Sequence, residues 1–328
     1  MINPEMHIRE DWAAATEKGA TRDGFGKGVV EAGRDDERVV VLSADLAEST
    51  RAEWFQKEFP QRFIEIGVAE QNLATVAAGM ANYGKIPFFT SYAAFSPGRN
   101  WEQIRTTIAL NDVRAIVCGM HAGISVGPDG ATHQMLEDIA IMRALPNMIV
   151  ISACDVEEAR KATIAAAKVG KPVYMRFGRE KTPAITTAET PFTIGKANVL
   201  VTQDAPKVAL IATGPLVHAA LVAAAELEKQ GVAASVINVH TIKPLDAETI
   251  IREATSAGAV VTIEEHQTTG GLGSAVAEVL SRAKPVPMEY IGVQDQFGQS
   301  GTPDELYTHY KMDASHIIES ALKVISRV

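Results

Sequence analysis

The stretch Arg62-Phe-Ile-Glu-Ile66-Gly67-Val-Ala-Glu70-Gln-Asn72 decides the fold class. A short β-rich run ends at Ile66, a glycine follows, and a helix opens at Glu70 with Leu73, Val76, Ala77 and Met80 along one face. The same alternation runs outward in both directions. Strands are expected at Arg38–Ser43, Arg62–Ile66, Ile86–Thr90, Arg114–Gly119, Met148–Ala153 and Pro172–Phe177, with helical patterns between them. Trp101, Ile104 and Ile108 recur at helical spacing within Trp101–Leu110, and Asp155-Val-Glu-Glu158 reads as a capping box opening a helix over Ala159–Val169. Strands alternating with helices predict an α/β fold built on a doubly wound parallel sheet.

Residues 186–206 are polar, threonine-rich and bounded by prolines, so a linker is expected there, with a short strand at Ala197–Val201. A second series follows: strands Val208–Ala212, Ala234–Val239, Ala259–Glu264 and Met288–Ile291, with helices Leu216–Gln230, Ala247–Ala257, Ser274–Ser281 and Ala314–Ile325. The expected division is a domain over 1–185 and a smaller α/β domain over 207–328. The length of 328 residues fits two domains, and an apolar content of 46% suffices for two cores.

A net charge of -9 argues against nucleic acid and against an anionic membrane surface as the main partner. No apolar run reaches the roughly 18 residues that a membrane span needs. The start, Met1-Ile-Asn-Pro-Glu-Met-His-Ile-Arg-Glu-Asp-Trp12, lacks a hydrophobic signal core. Cys118 and Cys154 lie in or beside apolar runs and read as buried free thiols, as a reducing compartment allows. A cytoplasmic location is expected.

In an open α/β sheet, ligands gather at the carboxyl ends of the strands, and Glu70 lies at such an end. Its plain reading is an acid favoured by the helix dipole. The segment Pro87-Phe-Phe-Thr-Ser-Tyr92-Ala-Ala-Phe95 follows the third strand, and such aromatics either pack a core or stack on a flat ring. The loop His121-Ala-Gly-Ile-Ser-Val-Gly-Pro-Asp129-Gly-Ala-Thr-His133-Gln134 reads in three ways: a structural glycine loop, a metal site, or catalytic machinery. His-x₇-Asp-x₃-His matches no compact zinc spacing, so no metal ligand is assigned.

Together these stretches resemble the pyrimidine-binding half of transketolase, a thiamine diphosphate enzyme. The stretch from Arg62 is similar to that of transketolases and deoxyxylulose phosphate synthases. The resemblance makes Glu70 the acid that hydrogen-bonds N1′ of the cofactor's aminopyrimidine and shifts it to the imino tautomer that takes the C2 proton. Phe95 aligns with the residue that stacks on this ring, and Tyr92 with a second aromatic near it. Gly98 stands where the family has a tyrosine, and a neighbour such as Arg99 can replace that wall.

The histidine loop matches the transketolase pattern position for position. It implies that His121 contacts the reactive oxygens, Asp129 takes the substrate C2 hydroxyl, and His133 lies near the exocyclic amine. Ala20-Thr-Arg22, Ser43-Ala-Asp45-Leu with Ser49, and Arg179 resemble further family segments. They imply sugar-phosphate contacts at Arg22, Ser49 and Arg179, and a place for Asp45 near the cofactor. Deoxyxylulose phosphate synthases have a shorter loop without a histidine aligned to His121, and β subunits of 2-oxo acid dehydrogenases lack the loop.

The Gly-Asp-Gly motif that holds the diphosphate through Mg²⁺ or Ca²⁺ in transketolases is absent, as are the family's N-terminal histidines. The resemblance therefore implies the C-terminal subunit of a split enzyme. An N-terminal diphosphate-binding partner would complete it, and self-association would give a two-plus-two heterotetramer acting on sugar phosphates. Two rivals stand beside this reading: a subunit of a related thiamine diphosphate enzyme, and a non-catalytic scaffold. Val239-His-Thr-Ile-Lys-Pro-Leu-Asp246 and Glu264-Glu-His-Gln-Thr-Thr-Gly-Gly-Leu-Gly-Ser274 resemble the superfamily's C-terminal domain. The glycine run does not fit G-x-G-x-x-G and reads as a tight turn or an anion loop. His240 and His266 read as structural or interface residues.

Overall fold

The computed structural model describes residues 1–328. Its larger sheet has seven strands in the order Thr241–Lys243, Ile149–Ser152, Val173–Arg176, Ile116–Met120, Ile86–Tyr92, Val39–Ser43, Phe63–Glu65. All neighbours pair in parallel except the Thr241–Lys243 edge, which is antiparallel. The six parallel strands lie where the sequence predicts them. Side chains of a strand alternate between faces, and here both faces are covered. Val39, Val41, Phe88 and Ile116 enter one core with Phe25 and Val29, while Val40, Leu42, Phe89 and Val117 enter another with Leu73 and Ile108.

The helix Glu70–Asn82 buries Leu73, Ala74, Ala77 and Ala78, with Val76 and Met80 half-buried at the edge of that face. The Trp101–Leu110 segment is helical but mostly in π geometry, over Ile104–Ala109. The expected capping box is half formed. The Asp155 carboxylate accepts from the Glu158 amide, but Glu158 Oε2 reaches the Cys154 amide at 2.7 Å rather than that of Asp155. Asp155 Oδ2 also accepts from the amides of Ile185 and Thr186, which ties down the start of the expected linker.

The smaller sheet has five strands in the order Met288–Val293, Val260–Gln267, Val208–Ala212, Ala234–Asn238, Asn198–Val201, parallel except for the last pair. The short strand expected within 186–206 is thus an edge of this sheet. The two halves interlock. Thr241–Lys243, from the second half, completes the first sheet, and Ile2, Met6, Ile8 and Trp12, from the first, pack on the second core. Cys118 and Cys154 are free and buried. No helix is long and apolar enough to cross a membrane.

Candidate active site

The parallel strands deliver their carboxyl ends to one edge of the larger sheet, and two side-chain clusters meet there. The first surrounds Glu70, the first residue of its helix and only 4% exposed. Ser91 Oγ donates to Glu70 Oε1 at 3.3 Å, and Arg99 Nη1 donates to Oε2 at 3.2 Å. Asn100 Nδ2 holds the Glu70 carbonyl at 2.8 Å and Ser96 Oγ at 3.1 Å. The Arg99 guanidinium also lies 4.2 Å from the Phe95 ring centre, a cation–π contact. A side chain at Gly98 would place its Cβ 2.0 Å from the Ala94 carbonyl, so this backbone admits no tyrosine there. Arg99 is the side chain that lies over the Phe95 ring and pairs with Glu70.

The second cluster surrounds His121, whose φ of +53° is left-handed, a strained conformation typical of functional loops. Its ring stacks on Tyr92, with centres 4.2 Å apart. Arg22 Nη1 donates to the Ser49 carbonyl at 2.9 Å and approaches His121 Nε2 at 3.1 Å. Nε2 thus lies between a donor and an acceptor, with the Ser49 carbonyl 3.3 Å away, while Nδ1 is buried without a partner. Burial, then the Arg22 charge, push the imidazole down to about 3, so it is neutral at neutral pH. Burial, then Arg51, lower the pKa of Arg22 itself, with a further lowering from Arg179. Three cations thus surround one region. A cavity of about 420 Å³ opens there, lined by Arg22, Asp45, Ser49 and Arg51 among others.

Tyr92 joins the clusters. Its hydroxyl lies 2.9 Å from Ser49 Oγ, its ring stacks on His121, and its centre is 6.1 Å from that of Phe95. His133 closes the group edge-on to Phe95 at 5.5 Å and to Tyr92 at 6.2 Å, with Thr132 Oγ1 2.9 Å from its Nδ1. Asp129 is exposed and pairs with Arg179 at 3.2 Å. Asp45 lines the Arg22 cavity rather than packing on Glu70. Its amide and that of Gly67 share the Glu65 carboxylate, at 2.7 and 2.8 Å.

Sequence reasoning missed Ser91, Asn100, Glu65 and Arg51. Ser91 and Glu65 are polar residues at the carboxyl ends of mostly apolar strands, the one visible signal for them. No group of three or more His, Cys, Asp or Glu is arranged to hold a metal ion. Where an anion loop was one reading of the glycine run, the helix start is filled by the protein. The Glu264 carboxylate accepts from the amides of Leu272 and Gly273 at 2.7 and 2.8 Å.

A buried acid beside an aromatic face thus lies next to a neutral histidine and clustered arginines. Comparison with known proteins gives the family. The family model "Transketolase, pyrimidine binding domain" matches residues 17–184, and "Transketolase, C-terminal domain" matches 195–317. A Methanocaldococcus jannaschii protein described as "Putative transketolase C-terminal section" is 43% identical over 309 residues, 93% of this chain and 96% of its own length. The 6-deoxy-6-sulfo-D-fructose transketolase subunit SqwH of a Clostridium species is 38% identical over 323 residues, 98% of this chain and 97% of its own. A solved "Split gene transketolase, inactive beta4 tetramer" superposes with a TM-score of 0.87 at 42% identity, covering 94% of this chain and 98% of that one. This chain belongs to the transketolase family, among its split C-terminal sections.

Proposed function

We propose that this chain, with a diphosphate-binding partner, moves a two-carbon ketol unit from a ketose phosphate to an aldose phosphate. The observation that carries this reading is the junction at Tyr92, where the Glu70–Phe95 cluster meets the His121–Arg22 cluster. Thiamine diphosphate fits the first cluster: a nearly buried carboxylate at a helix start, a hydroxyl beside it and an aromatic face. When bound, it would supply a nucleophilic C2 carbanion, its diphosphate and its Mg²⁺ or Ca²⁺ being held mainly by the partner.

Glu70 holds a proton at the ring's N1′ atom, and Phe95 orients the ring by stacking. His133, edge-on to Phe95, moves protons at the exocyclic amine. His121 is neutral because it is buried beside Arg22, so it can face a substrate oxygen without bringing a charge. Asp129 accepts from the substrate C2 hydroxyl. Arg22, Arg179 and Ser49 grip the sugar phosphate through charge-assisted hydrogen bonds. The name of the Clostridium relative, with a sulfonated sugar, fits a site whose anion end tolerates more than one oxyanion.

The test is reconstitution. The purified chain with thiamine diphosphate and Mg²⁺ is expected to show no ketol transfer between sugar phosphates until the partner subunit is added. Light scattering of the active complex is expected to report two copies of each chain. Robust activity from the chain alone would overturn the split-enzyme reading, and full activity in a one-to-one complex would overturn the two-plus-two assembly.

A further inference from the structure

The second half of the chain takes no part in the chemistry proposed above, yet it grips the loop that does. The strand Val260–Gln267 ends in Glu264-Glu265-His266, each 1% exposed or less. Two of the three side chains are spent locally or on scaffold. Glu264 caps the helix Leu272–Ala283, and His266 accepts from the Ala140 amide and donates to the Gln267 carbonyl. Glu265 alone reaches the histidine loop. Its Oε1 accepts from the Ser125 amide at 2.6 Å, within a loop that starts at His121 and carries Asp129 and His133.

The surroundings hold Glu265 to that task. Arg176 Nη2 donates to the Glu265 carbonyl at 2.7 Å, and Arg176 is itself fixed by Asp138 at 2.8 Å. On the loop side, Gly123 has φ +92°, and a Cβ there would lie 2.5 Å from the Glu265 carboxylate. The loop is pinned again further on. Gln134 Nε2 donates to the carbonyls of Ile124, Gly127 and Gln299, the last of them in the second half of the chain. Burying a carboxylate is costly, and a neutral side chain could cap one amide more cheaply. Burial raises the Glu265 pKa, with the Arg176 charge and the Ser125 and Tyr307 hydroxyls opposing the rise. A costly group kept at a loop contact needs a return outside stability.

We propose that Glu265 is a positioning residue, through which the C-terminal domain sets the His121–His133 loop and hence the spacing of His121, Asp129 and His133 over the substrate. The loop-setting part stands on the geometry alone, and its catalytic consequence rests on the ketol-transfer reading.

The experiment uses the full chain, free and reconstituted with its partner, and compares Glu265→Ala with Glu265→Gln. Glu265→Ala is expected to speed amide exchange at Ser125 by about 10–150-fold, the range for a lost hydrogen bond to a charged group. It is expected to lower kcat within the same range with a smaller rise in KM, because Asp129 rides on the loop, while thiamine diphosphate affinity stays near wild type, because Glu70 does not touch Glu265. Glu265→Gln keeps an acceptor and is expected to restore most of both effects. If the alanine variant fails to fold, Gly123→Ala perturbs the same contact from the loop side and is expected to lower kcat likewise. Unchanged Ser125 exchange in a folded Glu265→Ala chain overturns the proposal, as does faster exchange with wild-type kcat. Faster exchange in a protein whose wild type transfers no ketol group supports the loop-setting role and overturns the ketol-transfer reading instead.

Discussion

Arg22→Met offers a direct test of the anion end of the site. Methionine keeps much of the side-chain length and apolar stem but removes the guanidinium. Only Nη1 is engaged within the protein, on the Ser49 carbonyl and His121 Nε2, at 2.9 and 3.1 Å. Nη2 makes no hydrogen bond, and Arg22 lines the cavity shared with Ser49 and Arg51. A charge-assisted contact from Nη2 to a phosphate is worth about 1.5–3 kcal/mol, and the openness of the cavity favours the lower half. KM for a phosphorylated sugar should therefore rise roughly 10–40-fold in the reconstituted enzyme. The substitution also removes the second cause of the lowered His121 pKa. Burial, the larger cause, remains, so His121 stays neutral at pH 7 and kcat should change less than KM. Arg22→Lys, which keeps the charge but not the fork, should recover part of the loss. The assay compares steady-state ketol transfer with phosphorylated and unphosphorylated acceptors. Equal losses on both, or a fall confined to kcat, would show that Arg22 only braces His121 and Ser49.

Two further outcomes are expected. Glu70→Gln keeps an oxygen for Ser91 and leaves the Asn100 contact to the Glu70 carbonyl intact, so the melting temperature should hold while reconstituted kcat falls by on the order of 10² or more; a wild-type kcat would remove Glu70 from the proton path. His240 is fully buried and held down to about 3 by burial, against 6.5 for the free group, so the unfolded chain binds a proton that the folded chain refuses. Its share of stability is complete above pH 6.5 and is lost as pH falls toward 3. Between pH 7 and 5 the loss is about 2 kcal/mol. Urea unfolding of His240→Gln should show a pH 7 to pH 5 loss smaller by about that amount, and identical pH profiles in the two proteins would refute it.

What the sequence made legible follows from where the signals are local. Val39–Ser43 and Ile116–Met120 are continuous apolar runs because both faces of the sheet are covered, and a run of that length announces itself. Thr21–Asp35 does not. Its four glycines oppose a helix, and the helix forms because Phe25 and Val29 bury fully and the whole element lies along Val156–Lys168. Thr241–Lys243 is as short as a loop, and nothing in three residues says that their partner is Ile149–Ser152, about ninety positions earlier.

The candidate site divides along the same line. Glu70, Phe95, His121 and His133 stand in contiguous motifs, so a resemblance can find them. The parts that make those motifs one site are contacts between distant segments: Tyr92 on both His121 and Ser49, Arg99 on both Glu70 and Phe95, and Glu265 on Ser125 across 140 residues. Each rests on one side chain whose type suits many places. A tyrosine after a strand packs, an arginine on a surface dissolves, and a glutamate on a strand usually faces water. Their roles are fixed only when the sheet brings its strand ends together and the second half of the chain closes on the loop. A motif search therefore recovers the reacting groups before it recovers what holds them at their distances. In this chain Tyr92 and Arg99 hold the groups within the first half, and Glu265 reaches across to them from the second.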